Sequence, residues 1–352
     1  MKIAQISTIW WRTPPVKYGG SERIVSYLTE ELVKRKHEVT LYASGDSITK
    51  AKLVSVVSRY LRKDKVPWGA KLYPLLNIAK AFEDSKEFDL IHYHEDTNSG
   101  YFGLLFSKLV NIPVICTSHH GGPVLDEIKV LSKIYKNVYF TALSKFSKKT
   151  IPDAKYAGVV YNGLPIENIK YNENPKNYIL FLGRMSPAKG ADQAVKFALK
   201  TRSKLIMAGK LDYSDKKFFD KKIKPFLKNK NIKYLGEVTE TKKQELLRNA
   251  KTLIYPVTYD EIFSLVVIEA MASGTPVIAY NKGAMKEIIK NNKTGFIVNN
   301  LKQAMHALQN IDEIDRIKCR KYIEKNFSVK KMVDGYEKIY REVIRDFRSK
   351  NI

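Results

Sequence analysis

Cysteine is scarce. Two occur in 352 residues, Cys116 inside an apolar run and Cys319 in a charged helical stretch, and neither stands in a metal-type or redox-type pair. That argues against a disulfide framework. Long apolar runs are missing too: none approaches the length that spans a bilayer, and Met1-Lys2-Ile3-Ala4-Gln5-Ile6 reads as a short strand rather than a signal peptide. The expected location is the cytosol or its membrane face. No helix-turn-helix, zinc-finger or RNA-binding signature occurs among the basic residues, so nucleic acid is not expected as a partner. Acidic residues are in deficit, 36 Asp+Glu against 62 Lys+Arg, for a net charge of +26. Such a balance favours anionic partners, phosphorylated small molecules and acidic lipid among them, although the lysines are spread along the whole chain.

What is present is ordinary for a soluble globular protein, 44% hydrophobic and 28% charged residues, in a length comfortable for two domains. Short β-branched runs alternate with segments of helical period almost throughout, which predicts an α/β fold of parallel sheets with crossover helices. Strands are expected at 2–7, 38–43, 90–93, 113–117, 139–143 and 159–161, then at 178–183, 204–208, 232–235, 252–255, 276–279 and 295–298. Between the two sets, 166–176 is polar and broken by Asn168, Asn172, Asn174 and Pro175. The reading is therefore a first Rossmann-like domain over 1–170 and a second over 171–328. A closing amphipathic helix at about 329–352, with Met332, Val333, Tyr336, Ile339, Tyr340 and Val343 on one face, is expected to pack back on the first.

The most specific stretch is Pro256-Val257-Thr258-Tyr259-Asp260-Glu261-Ile262-Phe263-Ser264-Leu265-Val266-Val267-Ile268-Glu269-Ala270-Met271-Ala272. A helix starting near Ser264 or Leu265 turns its free N–H groups and positive dipole end toward the mouth of the sheet, where a phosphate is held. Glu269 leans back toward the same pocket and can accept hydrogen bonds from ribose hydroxyls, with Glu261 placed to do so for a sugar. A carboxylate in so apolar a helix needs a partner. The loop Gly183-Arg184-Met185-Ser186-Pro187-Ala188-Lys189-Gly190 follows another strand at the carboxyl edge, where open α/β sheets bind ligands. Its Arg184 and Lys189 suit a diphosphate that gains charge as its bond breaks.

Together these elements resemble the retaining nucleotide-sugar glycosyltransferases of family 4 (group 1), and the resemblance covers essentially the whole chain. Tyr18-Gly19-Gly20-Ser21-Glu22 looks like the family's glycine loop, and Ala142-Leu143-Ser144 and Tyr161-Asn162-Gly163 look like later landmarks. The resemblance implies the GT-B architecture, two Rossmann-like domains facing a central cleft. It also implies transfer of a hexosyl unit from a UDP- or GDP-sugar to a hydroxyl of a glycan, lipid or small-molecule acceptor in glycan, glycolipid or cell-envelope polysaccharide synthesis. By it, Arg184 and Lys189 bind the donor diphosphate, Glu269 the ribose and Glu261 the sugar, and the backbone at Phe263, Ser264 and Leu265 adds contacts. Gly19 and Gly20 join the donor site, and His119 hydrogen-bonds a hydroxyl of the reacting sugar, with His120 as its substitute. Ser264 stands where glycine is frequent and Pro165 where an aspartate is usual; the first bears on donor-sugar fit. No Asp-x-Asp occurs, so donor binding is expected to need neither metal nor cofactor, the nucleotide sugar acting as co-substrate.

Two features allow other readings. His92 and His94 end one strand and His119 and His120 another, a cluster that would suit a metal-dependent hydrolase, although no carboxylate ligands accompany it. A sugar-nucleotide epimerase or phosphorylase of the same architecture, or a binding protein without catalysis, are further alternatives. The stretch 49–76 mixes Lys50, Lys52, Arg59, Arg62, Lys63, Lys65 and Lys71 with Leu53, Val56, Val57, Tyr60, Leu61 and Trp68. It reads as a basic amphipathic segment that rests on an anionic membrane or contacts the acceptor, or else as a surface helix with a solvated charged face.

Overall fold

Strands that are apolar along their whole length belong in sheets covered on both faces, and this chain builds two of them. The computed structural model describes residues 1–95, 101–119 and 126–350. It divides into a first unit, Met1–Gly163 with Val329–Ile352, and a second, Leu164–Ser328.

In the first unit β1 (Lys2–Ile6), β2 (Glu38–Tyr42), β3 (Lys52–Val54), β4 (Leu90–Glu95), β5 (Val114–Ser118), β6 (Val138–Ala142) and β7 (Lys155–Val159) form a parallel sheet ordered β3-β2-β1-β4-β5-β6-β7. Helices α1 (Gly20–Lys34), α2 (Leu72–Glu83), α3 (Phe102–Phe106) and α4 (Asp126–Ile134) belong to this unit. In the second, β8 (Ile179–Leu182), β9 (Leu205–Ala208), β10 (Ile232–Tyr234), β11 (Thr252–Tyr255), β12 (Val277–Tyr280) and β13 (Gly295–Val298) run parallel in the order β10-β9-β8-β11-β12-β13. Its helices are α5 (Ala191–Thr201), α6 (Lys216–Lys222), α7 (Glu240–Asn249), α8 (Leu265–Ala272), α9 (Met285–Ile288), α10 (Leu301–Gln309) and α11 (Arg316–Asn326).

The last helix, α12 (Val329–Lys350), is part of the first unit. Met332, Val333, Tyr336, Ile339, Tyr340 and Val343 are all buried there, as the spacing requires. Arg35, at the end of α1, reaches Asp334 at 2.7 Å and Glu337 at 3.1 Å, and His37 meets Glu337 at 2.7 Å. At the far end of α12, Asp346 takes the Tyr139 hydroxyl at 2.6 Å and Lys155 at 3.0 Å.

Three expectations need correction. The units divide between Gly163 and Leu164 rather than at 170, because Leu164 already bonds to Phe327 and bridges Ser328 in the second unit. The strand expected at 159–161 lies at Lys155–Val159, since its Tyr156 packs against Phe140. The basic stretch 49–76 is not one helix. It forms β3, then turns whose backbone is tied to the exit of β1 through Leu61 to Ile9 and Arg62 to Trp10, and helix begins only at Leu72. Tertiary pairing of Leu61 and Trp10, both buried, has overridden local period here. Among the described residues no helix is long and apolar enough to cross a membrane.

Candidate functional site

Parallel topology brings the carboxyl ends of β8, β9, β11 and β12 to one edge of the second sheet, and the loops leaving them carry the charged residues. After β11 the chain follows an irregular, bent loop from Pro256 to Ser264 and enters α8, with Ser264 as an extended N-cap and no side chain capping the first turn. Glu261 sits in this run, 7% exposed, and one of its oxygens collects three donors. Lys189 Nζ lies at 2.5 Å, the Tyr259 hydroxyl at 2.6 Å and the Tyr255 hydroxyl at 2.7 Å from Oε2. The same ammonium lies 4.9 Å from the centre of the Tyr259 ring. Burial, then the neighbouring Glu261, pushes the Tyr255 phenol well above its ordinary range, so it stays a donor.

Two glycines make this approach possible. Gly190 has φ +71° and its missing Cβ would stand 1.9 Å from the Pro256 carbonyl, which is how the Lys189 loop closes on the Glu261 loop. Gly283, at φ +56°, would place a Cβ 2.0 Å from the Glu261 carbonyl, the acceptor of the Ala284 N–H at 2.7 Å.

Arg184 leaves β8 and is 38% exposed on its side chain. It faces Asp215 at 3.3 Å and Asp212 at 3.7 Å, without a hydrogen bond from its buried Nε. Lys210 also pairs with Asp212, at 2.5 Å. Burial and the charge of Asp212 raise the Asp215 carboxyl against the pull of Arg184. A guanidinium held by distance alone stays able to turn its planar fork to a stronger, doubly charged acceptor.

Glu269 lies one turn inside α8, 5% exposed, and its Oε1 takes Lys243 Nζ of α7 at 2.7 Å. The partner that a carboxylate in an apolar helix requires is therefore supplied from another helix. Phe263 and Ser264 are buried, Phe263 against Phe327 at 6.0 Å between ring centres, and Leu265 opens α8.

The remaining residues singled out in the sequence belong to the first unit. Gly19 precedes α1 at φ +135°, and Gly20 is the first residue of that helix. His119 follows β5 and its Nε2 lies 2.9 Å from His94 Nδ1. His94 continues to Gln5 Oε1 at 2.9 Å, Gln5 Nε2 donates to the Tyr340 hydroxyl at 2.9 Å, and that hydroxyl meets His92 Nδ1 at 2.7 Å. His92 Nε2 meets Thr117 Oγ1 at 2.8 Å, and that hydroxyl lies 3.3 Å from the Tyr336 hydroxyl. Burial, with His119 adding to it, lowers the His92 ring to about 3, and burial lowers His94 as well.

This arrangement corrects the metal reading of the histidines: the inner rings spend their nitrogens on Gln5, Thr117, Tyr340 and His119. Among the described residues no three His, Cys, Asp or Glu side chains are grouped to hold a metal ion. His120 lies outside the described residues.

The structure thus joins Lys189 to Glu261 and places Arg184 and Glu269 in the same unit, while Gly19, Gly20 and His119 stand in the other. Sequence reasoning missed Tyr255, Tyr259 and Lys243. Tyr259 lay two residues from Glu261 inside the stretch already singled out, and a buried carboxylate's need for donors was the signal available; nothing local points to Lys243.

Two family models match, glycosyl transferases group 1 over residues 166–327 and glycosyltransferase family 4 over residues 18–167. An uncharacterized glycosyltransferase of Methanocaldococcus jannaschii is 30% identical over 341 residues, covering 89% of this chain and 93% of the relative. Among solved structures, the sucrose-phosphate synthase of Thermosynechococcus elongatus superposes with a TM-score of 0.80 at 18% identity, covering 98% of this chain and 99% of that one. The Anabaena protein HepE, solved with UDP and glucose, gives 0.74 at 18% identity over 97% and 100%. With both sheets and both halves of the sequence in agreement, this chain belongs to the group 1, family 4 glycosyltransferases of GT-B fold.

Proposed function

We propose that this glycosyltransferase moves a hexosyl unit from a UDP- or GDP-sugar to a hydroxyl acceptor in glycan, glycolipid or cell-envelope polysaccharide synthesis, with retained configuration and without metal or cofactor. The observation that carries this reading is the Lys189–Glu261 pair, set between two tyrosine hydroxyls, with Arg184 in the loop that also supplies Lys189. In the reaction the bond from the sugar's anomeric carbon to the diphosphate oxygen breaks and its electron pair stays on that oxygen. Arg184, Lys189 and the N-terminus of α8 meet this charge. The acceptor oxygen bonds to the same face of the anomeric carbon and its proton passes to the leaving phosphate. Glu269 accepts from the ribose and Glu261 from the sugar; His119 keeps the role the resemblance gives it, a hydrogen bond to a sugar hydroxyl. HepE, solved with UDP and glucose, supports the donor class.

The test is calorimetric titration of UDP-, GDP- and ADP-sugars in the presence of chelator. Micromolar binding of one of them, lost in Arg184→Ala, is expected; absence of binding to all three defeats the reading, and a trapped covalent glycosyl-enzyme defeats the same-face step. Peripheral membrane contact is assigned to Trp68, Leu72, Tyr73 and Leu76, exposed at 40, 59, 40 and 44%, with the exposed Lys63, Lys65 and Lys71 nearby in sequence. It is dropped if the protein does not pellet with anionic vesicles at low salt.

A further inference from the structure

In the first sheet the strand order turns back between β1 and β4: β2 and β3 step out on one side of β1, and β4 to β7 on the other. The carboxyl ends of these two strands are where an open α/β sheet takes a ligand. The loop from β1 to α1 leaves at this edge, and its backbone is held on both sides of Arg12. Ile9 accepts from Leu61 at 3.0 Å and Trp10 from Arg62 at 3.3 Å, while Thr13 donates its N–H to Ser47 Oγ at 2.9 Å and accepts from Ile48 at 2.8 Å. All three tryptophans of the chain gather here, Trp10 against Trp68 at 4.7 Å between ring centres and Trp11 against Tyr60 at 5.7 Å and Tyr18 at 6.1 Å. Aromatic rings with a few charged groups among them are the usual lining of a small-molecule site.

Arg12 is half-buried, and its Nε is closed to solvent without a hydrogen-bond partner. Among the described residues its side chain makes no hydrogen bond or ion pair at all. The arginines of the bracing turns are engaged, Arg59 with Asp64 at 2.5 Å and Arg62 with the Val66 carbonyl at 2.8 Å and over the Trp68 ring at 5.0 Å. The carboxylates around the loop are engaged as well: Glu22 accepts from the Thr8 hydroxyl, and Asp46 from Ser44 Oγ at 2.8 Å and the Tyr60 N–H at 3.1 Å. A guanidinium keeps its charge at every pH at which proteins fold and can only donate, so one set in without a partner is complementary to an anion from outside. Arg184 and Lys189, which serve the donor diphosphate, belong to the other unit. We propose that Arg12 is the anion-binding residue of the acceptor site, and that the acceptor is a saccharide carrying an oxyanion, as a phosphate ester or a uronic carboxylate. The proposal rests on the glycosyltransferase reading and on the place that reading gives to the donor.

The experiment holds the nucleoside diphosphate that binds at saturation, so that the donor site is filled. Hexose 6-phosphates, hexuronates and the parent hexoses are then titrated by calorimetry into the wild type, Arg12→Gln and Arg12→Lys, and phosphatidylcholine vesicles with and without phosphatidylinositol form a separate arm. The wild type is expected to bind an anionic sugar or headgroup at least about tenfold more tightly than its neutral counterpart, the scale of a hydrogen bond to a charged group. Arg12→Gln shrinks that preference to about twofold or less, and Arg12→Lys, which keeps the charge and loses the fork, retains part of it. A preference seen with soluble sugars or only on vesicles supports the proposal alike and tells a free acceptor from a lipid-borne one. Removing an uncompensated charge should leave the melting temperature of Arg12→Gln at or above that of the wild type. A structural arginine would give the opposite, a lower melting temperature with the preference intact, and this result overturns the proposal. So does equal affinity, or none, for anionic and neutral ligands. A fall of about tenfold in nucleoside diphosphate affinity in Arg12→Gln assigns the residue to the donor and overturns it too, while failure of the wild type to bind any nucleoside diphosphate removes the glycosyltransferase reading itself.

Discussion

Replacing Lys189 by methionine separates the charge from the volume at the centre of the site. The ammonium is 2.5 Å from Glu261 Oε2, with side-chain exposures of 26% and 10%, so the pair lies between a surface ion pair and a buried one. Losing it costs about 1–2 kcal/mol of stability, between the ~0–1 of exposed pairs and the ~3–5 of fully buried ones. The carboxylate is not orphaned, because the Tyr255 and Tyr259 hydroxyls still donate to it at 2.7 and 2.6 Å. The fold therefore survives. Turnover does not: a cation removed from the place where negative charge develops costs about 100- to 1,000-fold, or about 2.7–4 kcal/mol of transition-state stabilisation. The assay is release of nucleoside diphosphate from the donor that binds, followed chromatographically, beside a urea melt of the same preparation. Turnover within about threefold of wild type corresponds to less than 1 kcal/mol and refutes the assignment of Lys189 to the departing diphosphate.

Other perturbations probe the frame of the site. Gly190→Ala forces a side chain into left-handed backbone and against the Pro256 carbonyl, so a loss of about 2–4 kcal/mol is expected in denaturant melts, with donor affinity falling in parallel. The unfolded chain protonates the His92 ring near pH 6.5 whereas the folded ring holds out to about 3. Stability is thus lost as pH falls through that window, by up to about 1.4 kcal/mol per pH unit from this ring, and His92→Gln should flatten the slope of melts taken between pH 7 and 4. Chelator in excess is expected to leave donor affinity and turnover unchanged; a loss restored by a divalent cation contradicts metal-independent transfer.

Most of the strands were readable because a buried parallel strand has no choice of composition: Leu180 and Phe181 in β8 or Val277 and Ile278 in β12 are apolar on both faces. The paired glutamates were readable for a related reason, since Glu269 stands alone among apolar helix positions. What stayed hidden depends on distant partners. β3 is three residues long and is defined by pairing with β2, and the turns after it are set by Ile9 and Trp10. Lys243 is one of two adjacent lysines on a polar helix, and only its pairing with Glu269 of α8 distinguishes it. Arg184 and Lys189 were found by spacing, but that carboxylates already face both of them, Asp212 and Asp215 for one and Glu261 for the other, emerges only in three dimensions.

The hydrogen-bonded chain through Gln5, His92 and His94 includes the hydroxyl of Tyr340, which belongs to α12. The polar interior of the unit that the ribosome makes first is therefore completed by residues made after the whole of the second unit. Leu164–Ser328 is contiguous, whereas Gln5 Nε2 and His92 Nδ1 in the first sheet lack the Tyr340 hydroxyl until α12 has been made. A fragment ending before Val329 lacks both the Tyr340 hydroxyl and the apolar face of α12 that complete the first unit.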